Sequence, residues 1–140
     1  MSAGYSGTPL PRKLGLRPGS RIAILHAPDG FDKAIEPLPH GVTMLSRLAS
    51  DVDVLIFFTE QQKELRARFD RLVDSVRPDG MLWICWPKKA SKRQTDLTED
   101  RIRAIALEGG VVDVKVCAID EVWSGLKLVR RTRDRAPTTR

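Results

Sequence analysis

Three continuous apolar runs divide the chain and predict buried strands. They cover residues 21–27 (RIAILHA), 53–58 (DVLIFF) and 81–86 (MLWICW). Short runs rich in β-branched and aromatic residues, without polar alternation, are typical of strands covered on both faces of a parallel sheet. We therefore predict three central strands.

A strongly amphipathic segment follows the second run and predicts a helix. Its apolar positions recur at helical spacing: Leu65, Phe69, Leu72, Val73 and Val76. Thr59 with Gln62 matches a capping box at its start. A second helix is predicted to begin at Thr98, with Leu97 packing on Ile102, and to end before Gly109.

The remaining segments predict shorter elements. We expect short helices within residues 8–15 and 31–36, a short edge strand at 41–45, and a turn at 77–80 (RPDG). Apolar positions in residues 111–119 and 125–131 predict an antiparallel hairpin that turns through residues 120–124.

The order of these elements predicts the fold class. Strands that alternate with helices indicate an α/β protein with a Rossmann-like, mostly parallel sheet, here with a C-terminal antiparallel hairpin. We expect one domain over residues 1–131. Ligands of such sheets bind outside the carboxyl ends of the strands, near the point where the strand order reverses. That rule selects residues 26–31, 59–61, 86–92 and 120–125.

Composition narrows the protein class. A chain of 140 residues, 41% hydrophobic and 30% charged, has the make-up of one globular domain. The longest apolar run, 54–58, is too short to cross a membrane, and no basic segment leads into an apolar stretch as in a secretory signal. We expect a cytoplasmic protein with no membrane contact. Cys85 and Cys117 lie in apolar runs, which predicts buried free thiols and no metal site.

The positive charge is concentrated at the C-terminus. The chain carries 24 Lys and Arg against 18 Asp and Glu, a net charge of +6. Residues 127–140 hold six basic residues and one acid, so residues 1–126 carry only +1. We interpret residues 132–140 as a basic, disordered and solvated tail. The alternative is an electrostatic arm for nucleic acid.

A basic loop after the third run is the first candidate site. Lys88, Lys89, Lys92 and Arg93 lie between a strand and the helix that begins at Thr98, together with Ser91. Cations beside the free N–H groups of a helix suit a phosphate or carboxylate, which predicts a site for a small anionic ligand. The alternative is a solvated charged loop.

Other candidate side chains lie at strand ends. His26, with Asp29 and Gly30 close behind it, is placed for proton transfer or for a structural hydrogen bond. Thr59 and Glu60 follow the second run. They are candidates for ligand contact, and they serve equally well as helix caps. Trp86 and Trp123 form either an aromatic wall for a flat ligand or a seal at the end of the core.

Residues 14–27 (LGLRPGSRIAILHA), followed by DVLIFF, an amphipathic helix, GMLWICW and a terminal hairpin, resemble class I S-adenosylmethionine-dependent methyltransferases. In that family a glycine-rich loop follows the first strand, and an acidic residue after the second strand holds the ribose. Here the loop reads H-A-P-D-G (26–30), and residues 44–46 contain no acid. The resemblance implies the fold, and these departures predict no cofactor bound in the family's usual manner.

A second resemblance is to a family of short bacterial proteins of unknown function. It rests on GYSGTPLPRKLG (4–15), WPKKASKRQTDLTED (86–100) and VDVKVCAIDEVWSGLKLVRR (112–131). This resemblance implies a family and no activity.

Three hypotheses of function follow. The first is a non-catalytic domain that binds a small anionic ligand or a partner through Lys88, Lys89, Ser91 and the helix at Thr98. The alternatives are a divergent S-adenosylmethionine-dependent methyltransferase-like enzyme and a nucleic-acid accessory protein that uses the basic tail.

Overall fold

The computed structural model describes residues 7–131 and 134, which form one six-stranded sheet with helices on both faces. The elements are α1 (Leu10–Lys13), β1 (Arg21–Leu25), α2 (Phe31–Ala34), β2 (Thr43–Leu45), β3 (Val52–Phe58), α3 (Gln62–Ser75), β4 (Val76–Pro87), a 3₁₀ turn (Lys89–Ser91), α4 (Glu99–Glu108), β5 (Val111–Ala118) and β6 (Trp123–Arg130).

The sheet has the order β2-β1-β3-β4-β6-β5. Strands β1 to β4 are parallel, whereas β6 is antiparallel both to β4 and to β5. This confirms the predicted α/β class with a mostly parallel sheet and a C-terminal hairpin. The hairpin places β6 against the body of the sheet and leaves β5 at the edge.

Strand β3 is buried on both faces, as its uninterrupted apolar sequence predicts. Leu55 and Phe57 point into a core covered by α3 and α4. Val54, Ile56 and Phe58 point into a second core, which also contains Leu14 and Phe31 from the opposite face. No side chain from Val54 to Phe58 is more than 1% exposed. The alternation of side chains along a strand thus divides one apolar run between two cores.

The connection between β2 and β3 is unusually short. Only residues 46–51 join two parallel strands that lie on opposite sides of β1, although such crossovers usually need about a dozen residues. Because β2 has three residues, the chain has little distance to return. Leu48 and Ala49 pack against the first core as the segment passes.

The predicted capping box at α3 is wrong. The helix begins at Gln62 with Gln61 as its N-cap, and Gln61 makes no side-chain capping bond. The Thr59 hydroxyl instead donates to Glu64 Oε1 at 2.5 Å. The backbone N–H of Gln62 donates to Asp96 Oδ1 at 2.7 Å. A side chain from a distant loop therefore provides the capping bond that the local sequence suggested.

Residues 77–80 form an irregular part of β4, so the prediction of a separate turn there is also wrong. Val76 pairs with Val52 and Met81 pairs with Val54, and the segment between them bulges out of the ladder. Gly80 lies close against β3, because a Cβ there would be 2.8 Å from the carbonyl oxygen of Asp53. The turn-forming sequence bends the strand without ending it.

Most other element predictions are confirmed. Thr98 caps α4 by accepting from the Arg101 N–H, and Leu97 packs in the same core as Ile102. The first helix is shorter than expected and begins at Leu10. Both cysteines are buried free thiols. The tail prediction falls mainly on residues 132, 133 and 135–140, which lie outside the described residues.

No helix among the described residues is long and apolar enough to span a membrane. Within the same residues, no group of three or more His, Cys, Asp or Glu side chains is arranged to hold a metal ion.

The indole of Trp83 ties the first helix to the centre of the sheet, and this gives the first prediction. Its Nε1 donates to the buried carbonyl of Leu14 at 3.0 Å. Trp83→Phe leaves that carbonyl without this donor, at a cost of about 1 to 3 kcal/mol in unfolding free energy beyond the lost packing. Urea denaturation measures the difference.

Trp86→Phe is the matched control, because Trp86 is also buried but makes no indole hydrogen bond within the described chain. We expect a larger loss of stability for Trp83→Phe than for Trp86→Phe. Equal losses would show that the bond to Leu14 contributes nothing.

Candidate functional site

The strand order reverses between β1 and β3, which makes the gap between their carboxyl ends the switch point of the sheet. The chain leaves β1 toward β2 on one side, and it leaves β3 toward β4 on the other. His26 follows β1 directly and Thr59 follows β3 directly. Connections that diverge in this way leave a crevice at the sheet edge, the usual ligand position in such folds.

His26 stands at this switch point in a left-handed backbone conformation, with φ of 60°. Its ring packs against Phe57 at 5.3 Å between centroids, and its Nδ1 lies 3.6 Å from Glu64 Oε2. The sequence pointed to Asp29 as its acidic neighbour, whereas the structure supplies Glu64 from α3. Non-glycine residues with positive φ are uncommon and are concentrated at functional sites.

Glu64 links the histidine to β3. One of its carboxylate oxygens accepts from Thr59, and the other faces His26. The side chains of His26 and Glu64 are 45% and 32% exposed, so a solute can reach the pair. A carboxylate beside an imidazole fixes the orientation of the ring, and a ring nitrogen of histidine can accept a proton. The arrangement therefore places a proton acceptor at the switch point.

Aromatic rings close the opposite face of the same edge. The Phe58 ring packs edge-on against Phe31 at 4.8 Å and against Trp123 at 5.2 Å. Trp86 belongs to the core on the other face of the sheet. The two tryptophans do not share a wall, so that alternative is wrong. Each tryptophan instead belongs to the buried core of its own face.

The loop of residues 88–96, which we call the lysine loop, folds over the end of β3. Arg93 Nε donates to Glu60 Oε2 at 2.7 Å, and the Thr95 hydroxyl donates to the Glu60 carbonyl at 2.6 Å. Arg93 also lies 5.4 Å from the centre of a Trp123 ring. Glu60 therefore anchors this loop, and it is not a helix cap as the sequence alone allowed.

Ser91 shapes the loop from within. Its hydroxyl donates to the Lys88 carbonyl at 2.7 Å and accepts from the Arg93 N–H at 3.2 Å. Lys92 follows with a left-handed φ of 60°. The Ser91 hydroxyl uses both its donor and one acceptor position within the turn. Its role in this structure is therefore to stabilise the loop and not to contact a ligand.

Beside the loop lies an open cleft of about 560 Å³ at the carboxyl end of β4, which we call the lysine cleft. Its lining residues are Trp86, Pro87, Lys88, Lys89, Lys92, Arg93, Thr95, Leu97, Thr98, Glu99 and Ser124. The structure thus brings the predicted lysines together with Trp86 and Thr98. His26, Asp29, Gly30 and Thr59 do not line this cleft and belong to the switch point.

The start of α4 does not offer the anion site that the sequence suggested. Glu99 and Asp100 occupy its first turn, and both bond to Arg103. These carboxylates already meet the positive end of the helix. Any attraction of the lysine cleft for anions must come from its lysine side chains.

Glu64 is the residue that sequence reasoning missed. It lies in the first turn of α3, and only residues 59–61 separate that turn from the carboxyl end of β3. An acid at this position was a visible signal, because the first turn after a parallel strand faces the ligand edge of the sheet.

The cysteines are not candidates for nucleophilic chemistry. Burial raises the pKa of the Cys85 thiol well above its usual value, and nearby Cys117 and Asp120 raise it further. Burial also raises the pKa of Cys117, although Lys13 and Lys115 oppose the shift. Both groups are neutral thiols near neutral pH, and a neutral thiol is a poor nucleophile.

The second prediction follows from these shifts. Ellman's reagent at pH 8 should modify both thiols slowly in the folded protein and rapidly in urea. Raised pKa values also mean that the unfolded chain loses thiol protons first as pH rises, so stability should fall above about pH 8.5. Rapid modification of the folded protein would contradict the burial of the thiols.

Comparison with solved structures identifies the fold. A 1,6-didemethyltoxoflavin-N1-methyltransferase from Burkholderia thailandensis matches with a TM-score of 0.60 and 13% identity, over 81% of this chain and 72% of that one. An S-adenosylmethionine-dependent methyltransferase from Aquifex aeolicus matches with 0.58 and 15%, over 84% and 85%. The magnesium protoporphyrin IX methyltransferase of Synechocystis PCC 6803 matches with 0.57 and 14%, over 81% and 71%. No family profile and no curated protein sequence matches.

The chain therefore has the fold of S-adenosylmethionine-dependent methyltransferases, as the resemblance implied. The interpretation as a non-catalytic domain for a small ligand or partner is wrong, because the three solved structures compared above are methyltransferases. These matches favour the methyltransferase-like alternative.

Proposed function

We propose that the chain is a divergent S-adenosylmethionine-dependent methyltransferase-like enzyme whose cofactor site is the crevice between the carboxyl ends of β1 and β3. The observation that carries the proposal is the sheet order, which reverses at this crevice. Related structures also hold the cofactor or its product: the Synechocystis enzyme was solved with S-adenosylmethionine bound, and the Burkholderia enzyme with S-adenosylhomocysteine.

The residues at the crevice fit the charge of this cofactor. S-adenosylmethionine carries a sulfonium, an ammonium and a carboxylate group, so its net charge is positive, and the carboxylates of Asp29 and Glu64 stand at this edge. Arg68 Nε lies 3.9 Å from Glu64 Oε2 and compensates part of that negative charge. Gly30 has a φ of +88°, and no heavy atom lies within 4 Å of the place a Cβ would occupy. Its open face permits the close backbone approach that several glycines give elsewhere. The fit thus rests on side-chain charge and one glycine.

The chain's own residues supply the rest of the proposed chemistry. The bound cofactor would provide an electrophilic methyl group. His26 accepts the proton that the methyl acceptor loses, because it is exposed at the switch point and has a carboxylate beside its Nδ1. Glu64 is a positioning residue for His26, and Thr59 holds Glu64 through its hydroxyl.

The proposal extends to three further points. They are a cytoplasmic location, one domain that includes residues 1–131, and membership in the short bacterial family that the sequence resembles.

The third prediction is that the purified chain binds S-adenosylhomocysteine. Isothermal titration calorimetry should show heat of binding with a stoichiometry of one, and the ligand should raise the melting temperature by mass action. S-adenosylmethionine should bind in the same range. The absence of both heat and stabilisation for the two compounds would overturn the proposed function.

Two variants, each with an exposed alanine replaced by tryptophan, locate the site. Ala27 is exposed in the loop after β1, and Ala67 is exposed on α3. Ala27→Trp should weaken S-adenosylhomocysteine binding by about tenfold or more, because a large ring enters the crevice. Ala67→Trp should leave the affinity unchanged. Equal affinities in both variants would place the cofactor elsewhere.

A further inference from the structure

The lysine cleft carries positive charge that the proposed cofactor cannot use. Lys88, Lys89 and Lys92 line it and make no ion pair within the part of the chain that the structure describes. The other lining charges are compensated, because Arg93 is bonded to Glu60 and Glu99 is bonded to Arg103. Three uncompensated cations therefore face one cleft on a body that, over residues 1–126, carries only +1.

Hydrogen bonds hold the backbone of this loop in a fixed place. Lys88 N–H donates to the Val122 carbonyl at 2.7 Å, and Ser91 closes the turn between Lys88 and Arg93. At its far end the loop is fastened to Glu60 by Arg93 and Thr95. Both ends of the loop are anchored, so the backbone positions of the three lysines are fixed before a ligand arrives. Such preorganisation lowers the cost of binding.

The size and floor of the cleft favour a small molecule. Its volume of about 560 Å³ is in the range of metabolite sites. Trp86, Pro87 and Leu97 give it a buried apolar floor, and the lysines stand at its rim. A phosphate ester carries a charge of about −1.5 to −2 near pH 7, and lysine binds phosphate as a point charge.

We propose that the lysine cleft binds the phosphate group of a phosphorylated small-molecule methyl acceptor. The identification of the ligand as a methyl acceptor rests on the proposed function, whereas anion binding in the cleft can be measured independently of that function. Glu60 connects the two regions, because it follows Thr59 directly and holds the lysine loop through Arg93. An acceptor fixed by its phosphate in the cleft would extend toward the switch point.

Calorimetry with inorganic pyrophosphate, in the absence of S-adenosylmethionine, tests the inference as the fourth prediction. The unmodified chain should bind pyrophosphate, and binding should weaken with added salt. The triple variant Lys88→Gln, Lys89→Gln and Lys92→Gln should raise the dissociation constant by about tenfold or more, since charge-assisted bonds are lost.

A charge-matched variant is the control. It removes three exposed cations that do not line the cleft: Lys33→Gln, Lys63→Gln and Arg71→Gln. Pyrophosphate affinity should be unchanged in this variant. No heat with the unmodified chain, or an equal loss in both triple variants, would overturn the inference.

Two further titrations distinguish a phosphorylated small molecule from the alternative ligands and separate the cleft from the cofactor site. S-adenosylhomocysteine should bind the cleft variant as it binds the unmodified chain, so failure of the cofactor site and failure of the lysine cleft give different results. A single-stranded oligonucleotide tests the competing partner class. If oligonucleotide binding, and not pyrophosphate binding, depends on the three cleft lysines, the small phosphorylated acceptor is overturned in favour of nucleic acid.

Discussion

The burial of β3 on both faces is the constraint on which the structure depends. Its side chains alternate between two cores, so the sheet needs cover on each side. Helices α3 and α4 cover one face, and α1, α2 and the loop before β6 cover the other. The Trp83 indole donates a hydrogen bond to the Leu14 carbonyl and so joins the layer that contains α1 to the sheet. A central strand with one solvent-exposed face would need only one of these two helical layers.

The same constraint creates the candidate site. With β3 in the centre, β1 must lie on one side and β4 on the other, so the connections diverge at the carboxyl ends of β1 and β3. The backbone turns sharply at His26 and brings its ring over Phe57, next to Glu64. On the opposite face, Phe31, Phe58 and Trp123 close the edge. Access to the switch point is thus from the side of α3.

Local patterns predicted the elements well, and long-range contacts account for what they missed. The strands, the order of helices and the cap at Thr98 depend on residues adjacent in sequence. Sequence favoured Asp29 as the neighbour of His26, but Glu64 takes that place because α3 packs beside the end of β1. The α3 cap failed for a similar reason, since Asp96 reaches Gln62 from 34 residues away. Trp86 and Trp123 were placed together by chain order, whereas their strand register sends them to opposite faces.

The central claim is that the gap between β1 and β3 is the cofactor site. A ¹H–¹⁵N correlation spectrum recorded during titration with S-adenosylhomocysteine tests it residue by residue. We expect the amide signals of residues 26–30 and 59–64 to shift together and to saturate with one dissociation constant, while those of β5 stay in place. Shifts confined to other segments, or no shifts at saturating ligand, would contradict it.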